Sequence, residues 1–200
     1  MQANTLSGGF VDPAIGSAHA FRSVMEAMAR PGTIQNIEGA APPAPLSPAM
    51  GAVLLTLCDT ETPVYLAGDL DCKAVREWLS FHTGAPFVGP AHCMFAVGAW
   101  DALAPLTVYP IGTSEYPDRS ATLIVKCSEL AASGATLTGP GIKDKATLSL
   151  PDVDAFQANR SLFPLGLDFI LTSGDRIAAL PRSTDVSGSS SEAAAHKGAS

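Results

Sequence analysis

Between Leu162 and Thr184 the chain reads LFPLGLDFILTSGDRIAALPRST. Two apolar runs of strand length are held apart by Ser-Gly-Asp, which is the pattern of an antiparallel hairpin. Asp168 interrupts the first run, and a carboxylate inside an apolar strand needs a partner. Arg182 or Arg176 across the hairpin can supply one, and such a pair would pin the strand register. The polar ending, Arg182-Ser183-Thr184, has two readings at this level: a contact for an anionic substrate, or the hydrophilic edge of a structural hairpin. Within the apolar runs Phe169 and Ile177 are candidate structural or interface positions.

The hairpin needs partners from upstream. GSAHAFRSVMEAMARPG places Phe21, Val24, Met25 and Met28 at helical spacing, with Ser17 as the expected N-cap and Pro31-Gly32 as the stop. Arg22 and Glu26 stand four apart and are expected to pair. TIQNI alternates like a strand, and the proline-rich EGAAPPAPLSP is an extended loop. Ser47-Pro48 restarts a helix in cap-then-proline order, and that helix is apolar nearly all round. TPVYLAG follows as a strand. DLDCKAVREWLSFHTG is an amphipathic helix with Val75, Trp78, Leu79 and His82 on one face, closed by Gly84. CMFAVGAW, SATLIVKC, ATLTG and ATLSL are strand candidates, and PDVDAFQANRSLF is a helix capped by Asp152. Helices alternate with strands early and strands dominate late. The expected fold is therefore α/β: a single domain over residues 1–186, with a mixed sheet flanked by helices and antiparallel at its C-terminal end. Residues 187–200, small and polar, are expected to be a disordered tail.

Charge narrows the function. The 200 residues carry a net charge of −7, only 16% are charged, and no basic run occurs anywhere. This opposes nucleic-acid binding through phosphate contacts. A chain so poor in charge has little polar material for its surface, so some apolar area is expected to be covered by another subunit. No apolar run approaches the roughly eighteen residues of a membrane span. The N-terminus lacks a basic stretch followed by an apolar core, so a cytoplasmic protein is expected.

Individual candidates are weak. LTGPGI, residues 137–142, could cradle a phosphate, but it lacks the Lys-Ser/Thr of a P-loop and fits a tight turn between strands better. His82 stands at a helix end, and His92 adjoins Cys93, where neighbouring strand side chains diverge. Cys58, Cys72, Cys93 and Cys127 lack metal-site spacing and read as reduced core thiols. Lys126, at a strand end, is expected to reach for solvent. No catalytic residue and no metal site emerges.

Read together, FRSVMEAMARPG, LLTLCDTETPVYL, LSFHTGAPFV, ATLIV, LTGPGI and the hairpin resemble, in order, the H-subunit family (PhnH) of the bacterial carbon–phosphorus lyase system. The resemblance spans Phe21 to Val186. It implies a fold like the large domain of pyridoxal-phosphate-dependent transferases, without that cofactor or any other. It also implies an accessory, non-catalytic role in organic phosphonate catabolism, in the step forming alpha-D-ribose 1-methylphosphonate 5-triphosphate from ATP and methylphosphonate. The implied partners are the G, I and J subunits, J most directly, with a homodimer when isolated. The alternative is an independent nucleotide- or phosphonate-binding protein using Arg22, Arg30 and Arg182 against anionic oxygens.

Overall fold

The computed structural model describes residues 7–188, so most of the expected C-terminal tail (189–200) lies outside the described residues. Helix α1 spans Pro13–Ala29 and begins five residues before the start expected from a Ser17 cap. Its cap is Asp12, whose carboxylate accepts from the Ile15 amide at 3.1 Å, with Pro13 at the first helical position. Ser17 lies inside the helix, where its hydroxyl donates back to the Pro13 carbonyl at 2.6 Å. The buried face is the expected one only in part: Val24 is buried and Met28 packs against the core. Ala20, Val24 and Ala27 face inward, whereas Phe21 and Met25 are 49% and 51% exposed. The small residues let α1 approach its neighbours closely, and Phe21 and Met25 are left outside.

Strand β1 (Gln35–Asn36) and the proline-rich loop lead to α2 (Pro48–Leu57), capped by Ser47 as its sequence predicts. Ala49 through Leu54 are wholly buried. Strand β2 (Val64–Leu66) precedes α3 (Lys73–Thr83), which ends on Gly84 at φ +69, a left-handed conformation that glycine adopts without steric cost. Next come β3 (Phe95–Ala99), the short α4 (Trp100–Leu103), β4 (Thr122–Lys126), β5 (Ala135–Thr138) and β6 (Ala146–Leu148). Helix α5 (Val153–Arg160) is capped by Asp152, as expected. The hairpin is β7 (Asp168–Ser173) and β8 (Arg176–Leu180), and β9 (Asp185–Ser187) follows it.

The main sheet has the order β1-β8-β7-β4-β3-β2. From β2 through β3 and β4 to β7 the neighbours run parallel, while β7–β8 and β8–β1 are antiparallel. It is the expected mixed α/β sheet. Alternate residues build two cores, one on each face. Val97, Ile124, Ile170, Ile177 and Ala179 pack toward α1, α2 and α3. Ala96, Leu123, Val125, Phe169, Leu171 and Ala178 pack the other way, with Phe156 of α5. Phe169 and Ile177 are both wholly buried within one chain, on opposite faces of the sheet. Of the two readings given for them, structural or interface, this burial agrees with the structural one.

The strand candidates ATLTG and ATLSL do not join this sheet. They form β5 and β6 of a separate antiparallel sheet, β6-β5-β9, on the α5 side. Its third strand is supplied by the chain just past the polar end of the hairpin.

Candidate functional site

Arg182 leaves β8 where β7 begins, because the register pairs Phe169 with Leu180. The same register puts Arg176 at the far end of the hairpin, where it donates to the Leu130 carbonyl at 2.9 Å. Of the two expected partners, Asp168 therefore takes Arg182. Asp168 accepts from the Arg182 backbone amide at 2.8 Å and from its Nε at 3.2 Å, and its second oxygen accepts from Nη2. Nη1 donates to the Pro117 carbonyl at 2.6 Å, and Nη2 also reaches Ser120 Oγ. A guanidinium has five N–H donors, and here both terminal nitrogens and Nε are engaged by the protein itself. The two side chains are only 14% and 17% exposed. The cluster joins the start of β7, the end of β8 and the loop entering β4, at the amino ends of the parallel strands. Ligands of open α/β sheets bind at the carboxyl ends.

The other two arginines stand apart from this cluster. Arg22 is exposed on α1 and has no ion-pair partner among the described residues. The expected Arg22–Glu26 pair is replaced by Glu26 with Arg30 at 2.8 Å, one turn further on. Arg30 caps the end of α1 and remains largely solvent-exposed.

LTGPGI is the turn between β5 and β6, packed between the end of α1 and the chain at Ser183. A Cβ at position 141 would stand 2.0 Å from the Ala29 carbonyl oxygen, and one at position 139 would stand 3.1 Å from that of Ser183. Gly139 and Gly141 have φ of +126 and +81. The glycines thus serve a close backbone approach.

Lys126, at the carboxyl end of β4, pairs with Asp69 at 3.2 Å. Lys126 borders a cavity of about 460 Å³ that Trp100, Asp101, Cys127, Glu129 and Ser149 also line. Among the described residues no three His, Cys, Asp or Glu side chains group as a metal site. Burial pushes the Cys93 thiol up to about 11 and that of Cys127 to about 11; burial and then the neighbouring Asp59 carboxylate push Cys58 to about 12. Such thiols are poor nucleophiles near neutrality. His92 ends a short 3-10 turn rather than sitting in a strand, and it is exposed while Cys93 is buried. His82 packs against Trp78 and Phe81, with ring centroids 5.0 Å away in both cases.

A feature without a sequence signature is a groove of about 710 Å³ between α5 and the segment from Trp100 to Ile111. Trp100, Tyr109 and Leu167 line it, with Ala155 and Ala158 along the α5 side. Its residues come from three separated stretches, so no local motif could have shown it. No helix among the described residues is long and apolar enough to cross a membrane.

Comparison with known proteins gives the chain its relatives. Residues 8–187 match the family model "Bacterial phosphonate metabolism protein (PhnH)". The alpha-D-ribose 1-methylphosphonate 5-triphosphate synthase subunit PhnH of Rhizobium meliloti (strain 1021) is 42% identical, over 92% of this chain and 96% of that protein. A Stutzerimonas stutzeri protein described as a C-P lyase subunit, HtxG, is 31% identical over 84% of each chain. With almost all of the described fold inside the matched region, the chain belongs to the PhnH family of bacterial phosphonate metabolism proteins.

Proposed function

We propose that this chain is a non-catalytic, accessory subunit of a carbon–phosphorus lyase complex. In this role it supports formation of alpha-D-ribose 1-methylphosphonate 5-triphosphate from ATP and methylphosphonate during organic phosphonate catabolism. The carrying observation is the 42% identity to the synthase subunit, extending over nearly the whole of both chains. The chemistry of the described residues agrees with an assembly role. Arg182 is held by internal partners, Lys126 is paired with Asp69, and the buried thiols are held protonated. The reading includes a cytoplasmic location, the G, I and J subunits as partners with J the most direct, and a homodimer when isolated. It also includes a fold like the large domain of pyridoxal-phosphate-dependent transferases, working here without the cofactor.

The test is reconstitution of the purified chain with the G, I and J subunits, followed by light-scattering mass measurement. A stable assembly containing this chain is expected. If the chain remains separate from those subunits, the accessory role is refuted.

One observation favours direct ligand binding as the second reading: Arg22 is exposed without an ion-pair partner, and Arg30 lies on the same helix. A saturable rise in melting temperature with ATP or methylphosphonate, abolished by Arg22→Ala or Arg30→Ala, would establish it. Arg182→Ala is unsuited to that purpose, because the fold itself uses Arg182.

A further inference from the structure

The groove beside α5 is lined mainly by apolar groups. Its floor is Trp100, Tyr109 and Leu167. Trp100 is stacked on Phe156 at 5.0 Å between ring centroids, which fixes its position. The α5 wall is low because its residues there are Ala155 and Ala158, and a wall of small side chains lets another backbone come close. At the end of α5, Leu162 borders the groove and Phe163 follows it, 44% and 51% exposed. The α5 polar groups in the lining are already engaged: Ser161 donates to the Ala158 carbonyl at 2.6 Å. Asn159 bonds the Leu167 backbone in both directions, at 2.8 and 2.9 Å, and Asp152 caps the helix.

Charge selects the occupant. The lining includes the Asp152 carboxylate and no Lys, Arg or His, and Asp154 stands in the adjoining first turn of α5. The chain as a whole carries −7. A triphosphate or phosphonate would meet apolar walls and a like charge here, with no cation to receive it. An apolar segment with a basic end satisfies both the walls and the acidic end.

We propose that this groove receives an amphipathic segment of another subunit of the complex. Its aliphatic or aromatic side chains lie along Ala155 and Ala158, and a Lys or Arg lies beside Asp152 and Asp154. The inference rests on the accessory-subunit reading and assigns it a surface.

The test compares wild type with Ala158→Arg, Leu162→Asp and Asp154→Lys in titrations against the G, I and J subunits. Circular dichroism and melting temperature serve as folding controls. All three positions are exposed, so folded variants are expected. Blocking the groove by Ala158→Arg, or by Leu162→Asp, is expected to weaken assembly roughly tenfold or more. Asp154→Lys is expected to weaken it less, and mainly at low salt. If wild type assembles and the folded groove variants assemble equally well, the groove is not the docking site, while the accessory reading stands. Variants that lose only self-association would assign the groove to a second copy and overturn the proposal. Failure of wild type itself to assemble would overturn both.

Discussion

At the residue scale the decisive side chain is Arg182. Its guanidinium bonds Asp168, Ser120 and the Pro117 carbonyl, so its removal would leave the nearly buried Asp168 carboxylate with only the backbone amide of residue 182 as donor and would strip the Pro117 carbonyl of its guanidinium partner. Breaking such a pair from one side is costly because the remaining charge stays desolvated. Arg182→Ala is expected to lower unfolding free energy by about 3 kcal/mol, read by chemical denaturation. Arg182→Lys should recover little of that loss, since an ammonium cannot reproduce the planar fork. A variant as stable as wild type would show that these bonds contribute nothing and would return Arg182 to the pool of ligand-binding candidates. The Asp168–Arg182 pair could be anticipated from a lone carboxylate in an apolar run. Ser120 and Pro117 could not, because they lie more than sixty positions upstream and only the tertiary fold brings them in.

At the scale of elements, caps and turn chemistry made most boundaries readable. Ser47-Pro48, Asp152, Gly84 and the Gly174-Asp175 turn carry local signals that act within a few residues. Helix α1 is the exception, and the reason is competition between two good caps. Asp12-Pro13 and Ser17 both qualify by residue type, and nothing local excludes a start at either. The Asp12 carboxylate takes the Ile15 amide, while Ser17 bonds a carbonyl one turn back inside the helix. The substitutions separate the two. Asp12→Ala is expected to cost about 1 kcal/mol in thermal or urea unfolding. Ser17→Ala, which removes only a back-bonded hydroxyl, should be close to neutral. The reverse ranking would mean that the helix starts at Ser17 in solution. The small sheet β6-β5-β9 escaped for a different reason. Strand propensity says that a segment is extended, but not which sheet it joins.

At the scale of the whole molecule, the low charge content has two outlets. One is the interior, where both faces of the main sheet are covered and even Phe169 and Ile177 are consumed. The other is a surface that retains Ile15, Phe21 and Met25 on α1, in addition to the groove. On a helix advancing about 100° per residue, Ile15, Ala18, Phe21, Arg22 and Met25 share one outward sector. An antiparallel pairing of two copies of α1, centred between Phe21 and Arg22, would bring each Arg22 to the other copy's Phe21 ring and each Met25 to an Ala18. Such a pairing would give Arg22, which has no ion-pair partner among the described residues, a partner and would cover the long apolar side chains, so the proposed homodimer is expected here rather than at the hairpin. Purified wild type is therefore expected to dimerise with concentration in light scattering, and Phe21→Ser with Met25→Ser to shift it to monomer without loss of melting temperature. Arg22→Glu should weaken the dimer as well, since a carboxylate is repelled by the face of the ring. A dimer that persists unchanged in all of these variants would place self-association elsewhere on the molecule, leaving this face of α1 free in the isolated chain.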